Sequence, residues 1–198
     1  MKVVLATRNQ GKIAELRRIL NGIDVVGLEE FPGAPEVPET ELTFAGNALL
    51  KARAIAAHTG LAAVADDSGL CVDAMNGMPG VFSARWSGRH GDDQANLELL
   101  LGQLSDVAPE RRGARFVCAA AIAWPSGEED TVEGHLDGVV IDAPRGTNGF
   151  GYDPIFVPEG DTRTTAELSP EEKDAISHRG KAFTALADRV RTRADRRD

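Results

Sequence analysis

The chain has 198 residues, of which 42% are hydrophobic and 27% are charged, the balance of an ordinary folded protein with a sizeable core. Its formal net charge is −9, whereas nucleic-acid-binding domains normally carry a basic surface, so a polynucleotide is a poor candidate ligand. No run approaches the roughly 20 apolar residues of a membrane span, and the start does not resemble a signal peptide. We therefore expect a cytoplasmic protein with no membrane partner.

Apolar runs and helical periodicities alternate along the first third of the chain. Strands are predicted over residues 2–6, 23–28 and 61–65, and helices over 10–21 and 44–58. Thr43 is the predicted N-cap of the second helix, and Gly60 lies just beyond its end. The segment 31–41 contains three prolines, so we expect a loop there.

The rest of the chain continues this mixture without a strict βαβ rhythm. We predict a helix over 93–104, paired strands over 115–124 and 131–141, a short strand over 155–157 and a last helix beginning near Ser177. Cys71 and Cys118 lie in apolar runs without metal-ligand spacing, which is typical of reduced core residues. With no repeat and no linker, the sequence predicts one domain over residues 1–198, a three-layer α/β fold on a mixed sheet.

The turn between the first strand and the first helix reads TRNQGK at residues 7–12. Such a turn points free backbone N–H groups and the positive end of the helix dipole at one spot, which favours a phosphate. It is not the Walker loop, because only Gly11 and Lys12 of that pattern are present. Lys12 lies in the first helical turn, where a cation is unfavourable by about 0.3–1 kcal/mol, and a bound anion would remove that conflict. A polar turn with a solvated lysine explains the pattern equally well.

Asp66 and Asp67 directly follow an apolar predicted strand and precede a Ser-Gly pair. Adjacent carboxylates repel each other unless a cation lies beside them, and Mg²⁺ usually takes one or two protein carboxylates plus phosphate oxygens and water. Neighbouring extended residues point to opposite faces, so one Asp can face a metal while the other braces the loop. A solvated turn is the alternative. Glu39 and Glu41 in the preceding loop are candidates for a further ligand.

Three further clusters carry weaker signals. Asn47 and Lys51 share one face of the second predicted helix, although a lysine on an alanine-rich helix is normally solvated. In the segment 149–154, glycines flank two aromatic residues, so a ring can stack on a base or simply be buried. His178 and Arg179 open the last helix against its dipole, which a buried anion or a keto oxygen would explain.

The ordered set of motifs is far more specific than any one of them. The set TRNQGK, ETELTF with NALLKA, ADDSGL, PGVFSARW, FGYDPIF and EEKDAISHRGKAF resembles the family of inosine/xanthosine triphosphate pyrophosphatases, with matches from residue 2 to about residue 187. The resemblance implies an elongated mixed β-sheet flanked by helices, in two lobes with a nucleotide cleft between them. It also implies a homodimer and dependence on Mg²⁺. Arg8, Gln10 and Gly46 depart from residues common in relatives, which bears on substrate preference and local stability rather than on the reaction.

The resemblance implies a role for each motif residue. Asp67 would be the proton acceptor and, with Glu39, a metal ligand. The phosphates would be bound by Thr7, Arg8, Asn9, Gln10, Gly11 and Lys12, with Asn47 and Lys51 approaching the same group. Ser68 would be a further substrate contact, and the base and sugar pocket would comprise Phe150, Gly151, Tyr152, Asp153, Lys173, His178 and Arg179. The division of work between Asp66 and Asp67 stays open.

These expectations predict that ITP, dITP and XTP are hydrolysed to the monophosphate and pyrophosphate. Asp67 would deprotonate the water, while Lys12 and Lys51 neutralise the leaving group. Two alternatives remain: a related pyrophosphatase acting on pyrimidine or modified nucleotides, and a non-catalytic sensor that binds nucleotides and leaves them intact. The carboxylate pair argues against the sensor, because a binder of polyanions gains little from added carboxylates.

Overall fold

The computed structural model describes residues 2–20 and 22–195. The predicted end of the first helix at Asn21 lies outside the described residues. The strands are β1 Lys2–Leu5, β2 Asp24–Val26, β3 Ala62–Val72, β4 Met78–Pro79, β5 Gly113–Ala123, β6 Glu129–Val140 and β7 Phe156–Pro158. The helices are α1 Gln10–Ile19, α2 Phe44–Thr59, α3 Asp93–Gln103, α4 Pro170–Ile176 and α5 His178–Asp195.

The strands form one mixed sheet in the order β2-β1-β3-β5-β6-β7, with β4 paired to β3. β1 runs parallel to both β2 and β3, whereas β3–β4 and β6–β7 are antiparallel pairs. In the β1–β3 ladder, Val3 lies opposite Ala62 and Leu5 opposite Val64. The predicted α/β class with a mixed sheet is therefore confirmed.

The third strand differs from its prediction in a way that matters for function. β3 does not end at Ala65 but continues to Val72, so Asp66 and Asp67 lie in the middle of a strand and not in a turn after one. Beyond them, the Leu70 N–H donates to Oγ of Ser83, which ties the strand to the 3₁₀ helix at 80–85. The sequence prediction ended this strand at residue 65 and placed the two acids directly after it, whereas both acids belong to the strand.

The chain divides into two compact units, of which the first comprises Met1–Asp67, Cys118–Gly134 and Arg179–Asp198. Its strands bury side chains on both faces. Val3, Leu5 and Val64 pack with residues of α1 and α5, including Leu16 and Phe183. The alternate residues of the same strands pack against the alanine face of α2. This unit accordingly has the predicted three layers of helix, sheet and helix.

Capping fixes where α2 begins and ends. The Thr43 side chain accepts the Gly46 N–H at 3.1 Å, and Gly60 closes the helix with φ +68°, a conformation that favours glycine. Both predictions are confirmed. Ala48 and Ala52 are fully buried, and their small size lets the helix backbone approach the sheet closely.

The second unit comprises Ser68–Val117 and His135–His178. Its core is one cluster in which Leu97 and Leu100 of α3, with Leu104 at the C-cap of that helix, pack with strand residues such as Leu70 and Phe156. Leu101 lies at the margin of this cluster and is only half-buried. Among the residues that the structure describes, no helix has the length and hydrophobicity to cross a membrane. The prediction of a single domain stays a prediction.

A glycine on β3 offers a test of the packing in the second unit. A Cβ atom at Gly69 would lie 2.3 Å from the Gly80 carbonyl oxygen and 2.4 Å from Oγ of Ser83. We expect Gly69→Ala to lower the free energy of unfolding by about 1–3 kcal/mol, because backbone and side chain must both shift. Gly102 near the end of α3 has open space around it, so Gly102→Ala should raise the same quantity by up to about 1 kcal/mol. Urea unfolding measures the free energy of unfolding of both variants. Equal changes for Gly69→Ala and Gly102→Ala would contradict the close packing around Gly69.

Candidate functional site

The turn from β1 into α1 has the local structure expected of an anion site. Asn9 is the N-cap of α1, and its Oδ1 accepts the Lys12 N–H at 3.1 Å. Oγ1 of Thr7 accepts the Asn9 N–H at 3.2 Å, which fixes the approach to the helix. A guanidinium N–H of Arg8 donates to the Ala34 carbonyl at 2.8 Å, so this turn is tied to the loop that carries Glu39. The remaining N–H groups of the first turn have no acceptor within the helix.

The side chain of Lys12 has a carboxylate partner inside the protein. Its Nζ lies 2.9 Å from Oδ2 of Asp66, and the lysine side chain is 15% exposed. A cation in the first turn of a helix is unfavourable because of the helix dipole, and this carboxylate offsets the cost. The structure therefore supplies the compensating anion itself and holds the ammonium at the turn.

Asp66 is surrounded by positive charge. Besides Lys12, the Nε and Nη2 groups of Arg179 donate to the same Oδ2, each at 3.4 Å. Burial raises the pKa of Asp66, but the charges of Lys12, Arg179 and Lys51 outweigh burial and hold this pKa well below its ordinary value. Asp66 is consequently ionised at physiological pH and is a poor proton acceptor.

Asp67 points to the opposite face of β3 and has different neighbours. Its Oδ2 accepts the side-chain amide of Asn47 at 2.9 Å, and its Oδ1 lies 3.6 Å from Nζ of Lys51. Burial raises the pKa of Asp67; Lys51 opposes the shift, Glu39 adds to it, and the pKa ends above its ordinary value. A carboxylate with a raised pKa is a better base near neutral pH.

Asn47 is fully buried and spans two parts of this site. While its amide group donates to Asp67, its carbonyl oxygen accepts the Glu41 N–H at 2.9 Å. The prediction that Asn47 approaches a phosphate is not tested, but the observed bonds give it another task. It fixes the orientation of the Asp67 carboxylate and the position of the loop that carries Glu39.

Glu39 and Asp67 offer oxygen ligands of the kind that Mg²⁺ prefers. Nζ of Lys51 lies 3.1 Å from Oε1 of Glu39 as well as near Asp67, so both carboxylates face one cation. Across the described part of the chain, no group of three His, Cys, Asp or Glu side chains is placed to hold a metal ion. Two carboxylates are nevertheless enough for Mg²⁺ when phosphate oxygens and water complete its coordination. The donor set therefore fits a magnesium ion that binds together with a nucleotide.

The second unit gathers other predicted residues around Asp153. This buried carboxylate accepts the Phe150 N–H at 2.9 Å, Nζ of Lys173 at 2.6 Å and Oγ1 of Thr165 at 2.8 Å. Nζ of Lys173 also lies 5.1 Å from the centroid of the half-buried Phe150 ring. Asp153 thus organises the glycine-rich loop and leaves part of the Phe150 ring accessible to a ligand.

The neighbouring aromatic residue is not available for stacking. Tyr152 is 5% exposed and its hydroxyl group donates to the Ser83 carbonyl at 2.9 Å, so this ring belongs to the core of the second unit. The Gly151 N–H donates to Asp93 at 2.8 Å, which anchors the loop to the first residue of α3. Sequence reasoning missed Asp93 and Thr165 because both act through contacts between residues far apart in the chain.

His178 and Arg179 are adjacent in sequence but have unrelated neighbours. The His178 imidazole is buried in the second unit and stacks on Phe116, with ring centroids 4.8 Å apart and an interplanar angle of 10°. Arg179 belongs to the first unit, where its Nη1 donates to Glu15 and its other groups bind Asp66. Its predicted contact with a keto oxygen is not tested. Glu15 was missed, although its spacing of three from Lys12 on α1 was a usable signal.

Comparisons with known proteins identify the family of this chain. The model of the Ham1 family matches residues 3–189. The dITP/XTP pyrophosphatase of Streptomyces coelicolor is 64% identical over 194 residues, covering 96% of this chain and 97% of that protein. A crystal structure of the nucleoside-triphosphatase, or dITP/XTP pyrophosphatase, of Mycobacterium abscessus matches with 61% identity and a TM-score of 0.76, covering 94% and 97% of the two chains. The Ham1 protein structure from Staphylococcus aureus gives 40% identity and a TM-score of 0.87, covering 98% and 100%. The chain belongs to the Ham1 family.

Proposed function

We propose that this protein hydrolyses purine nucleoside triphosphates such as ITP, dITP and XTP to the monophosphate and pyrophosphate, which removes them from the nucleotide pool. Family membership supports the proposal, since relatives such as the S. coelicolor protein are named dITP/XTP pyrophosphatases. The observation that carries the mechanism is the contrast between Asp66, held ionised by cations, and Asp67, whose pKa is raised.

Phosphate binding falls to the α1 turn and to two lysines. Nζ of Lys12 and Nζ of Lys51 are each held by carboxylates, at 2.9 Å from Asp66 and 3.1 Å from Glu39. These charges offset the repulsion between a protein of net charge −9 and a nucleotide polyanion. As the bond between the α- and β-phosphates breaks, the same ammonium groups stabilise the charge that develops on pyrophosphate.

Asp67 is the group that accepts a proton from water in this proposal. Its Oδ2 accepts a hydrogen bond from Asn47 and its Oδ1 lies 3.6 Å from Nζ of Lys51, so the carboxylate is oriented to take the proton from a water aligned with the α-phosphorus. Mg²⁺ bound by Glu39 and Asp67 would supply further positive charge to the phosphate oxygens. Asp66 takes no part in proton transfer and serves to hold Lys12 in place.

Base recognition is assigned to the second unit, with the Phe150 ring stacking on the purine. ITP and XTP carry a keto oxygen at position six, where ATP has an amino group. A pocket of donors satisfies the keto oxygen but leaves groups unpaired with adenine, at about 1–3 kcal/mol each. His178, which lies in that unit and opens α5, is the proposed donor, whereas the guanidinium of Arg179 is held by Glu15 and Asp66 in the first unit. We further propose a homodimer, implied by the family resemblance, in the cytoplasm, where the nucleotide pool lies.

The adjacent aspartates give a matched pair of variants. Asp67→Asn should lower kcat by about 10²–10⁴-fold, the usual contribution of a general base, with a smaller effect on nucleotide binding. Asp66→Asn should lower stability by about 3–5 kcal/mol, because it leaves the charges of Lys12 and Arg179 with less compensation, and it should raise KM rather than lower kcat, because Lys12 loses the carboxylate that holds it. Steady-state kinetics and denaturant unfolding of both variants separate the roles. An Asp67→Asn variant that keeps most of its kcat would move the base role elsewhere.

A panel of triphosphates tests the function itself. With Mg²⁺ present, we expect ITP, dITP and XTP to be cleaved in preference to ATP, GTP and the pyrimidine nucleotides, with monophosphate and pyrophosphate as the first products. Phosphorus NMR identifies the products, and excess chelator should abolish turnover. Release of orthophosphate and a diphosphate would refute the bond assignment. Preference for a pyrimidine nucleotide would support a different base pocket, and binding without cleavage would support the sensor.

A further inference from the structure

Glu15 is a buried carboxylate that the proposed reaction does not use. It lies on α1 three residues beyond Lys12, is 6% exposed and accepts a hydrogen bond from Nη1 of Arg179. Burying a carboxylate is costly unless its charge is compensated by a well-placed partner. A polar residue at this position of a helix would be cheaper to bury, so the charge of Glu15 calls for an explanation in function.

Glu15 is one end of a series of four side chains with alternating charge, and Lys12 is the other. Arg179 contacts Glu15 and Asp66, and Asp66 contacts Lys12, all within the first unit. Two negative and two positive charges cancel along this series. The side chains of Arg179 and Asp66 are 2% and 0% exposed, whereas that of Lys12 is 15% exposed. A ligand therefore meets the series at Lys12, the end that lies at the phosphate-binding turn.

Two cations compete for one atom in this series, because Arg179 and Lys12 both bind Oδ2 of Asp66. Guanidinium is a rigid fork that pairs with both oxygens of a carboxylate when nothing else holds it. Here Nε and Nη2 of Arg179 both donate to the single atom Oδ2 of Asp66, while Glu15 binds Nη1 and so holds the guanidinium back from pairing with both oxygens of Asp66. The 3.4 Å distances from Arg179 to Asp66 are longer than the 2.9 Å from Lys12, as expected of a shared guanidinium.

We infer that Glu15 is a positioning residue for the phosphate clamp: by holding Arg179 it reserves Asp66 for Lys12, and so keeps the lysine at the turn. The inference rests on the proposed function and deepens it, because it names a residue that acts on phosphate binding from the interior. Since phosphates carry no base identity, removing the Glu15 charge should weaken every triphosphate in similar proportion.

A double-mutant cycle with Lys12 tests this inference. Glu15→Gln should lower kcat/KM for ITP and XTP alike by about tenfold, mainly by raising KM. In a Lys12→Ala background the same change should cost less than about twofold, because the group that Glu15 positions is already gone. Equal losses in the two backgrounds would show a merely structural role and overturn the inference. A loss of kcat/KM for only one of the two nucleotides would also overturn the inference, because the substitution would then act on recognition of the base.

Two further variants serve as controls for this double-mutant cycle. Glu29→Gln removes the same charge from a surface side chain that is 64% exposed, so its kcat/KM should equal that of the wild type. If Glu15→Gln fails to fold, Glu15→Asp keeps the charge on a shorter side chain and replaces it in the cycle, with a smaller loss that again vanishes in the Lys12→Ala background. A wild type that releases no pyrophosphate refutes the proposed function, whereas an active wild type with additive losses refutes only the role of Glu15.

Discussion

The arrangement of the first unit depends on the ionised carboxylate of Asp66 in the middle of β3. Its side chain is buried, and a lone carboxylate there would be strongly destabilising. Lys12 comes to it from α1 and Arg179 from α5, so one charge ties both helices of that layer to the sheet. The same contacts place an ammonium group at the turn where the phosphates are proposed to bind, and stability and function therefore share one set of ion pairs.

Alternation along the strand turns two identical residues into groups with opposite properties. Asp66 faces cations on the side of α1 and α5, whereas Asp67 faces Asn47, Lys51 and Glu39 on the side of α2. Three cations lower the pKa of the first acid, while burial and a neighbouring carboxylate raise that of the second. The pleat of one strand thus separates a group that holds charge in place from one that is suited to moving a proton.

Local signals in the sequence predicted the fold well. Thr43, Gly60 and the leucines of α3 mark their elements through capping and periodicity, which depend on residues close in the chain. The predicted strand ended before Asp66, whose buried charge is compensated by Lys12 and by Arg179, 113 residues away. Tyr152 resembled a stacking ring, yet a hydrogen bond to Ser83 directs it into the core. Partners that are distant in sequence decide such cases, and a single sequence does not reveal them.

In the proposed mechanism, Asp66 holds the cations in place and Asp67 accepts the proton. Site-resolved ¹³C NMR of the carboxyl groups, recorded during a pH titration of the metal-free protein, measures this most directly. We expect Asp67 to titrate above the ordinary aspartate value of about 3.9 and Asp66 to stay ionised well below that value. An Asp66 carboxyl that takes up its proton at higher pH than Asp67 would refute this division of roles.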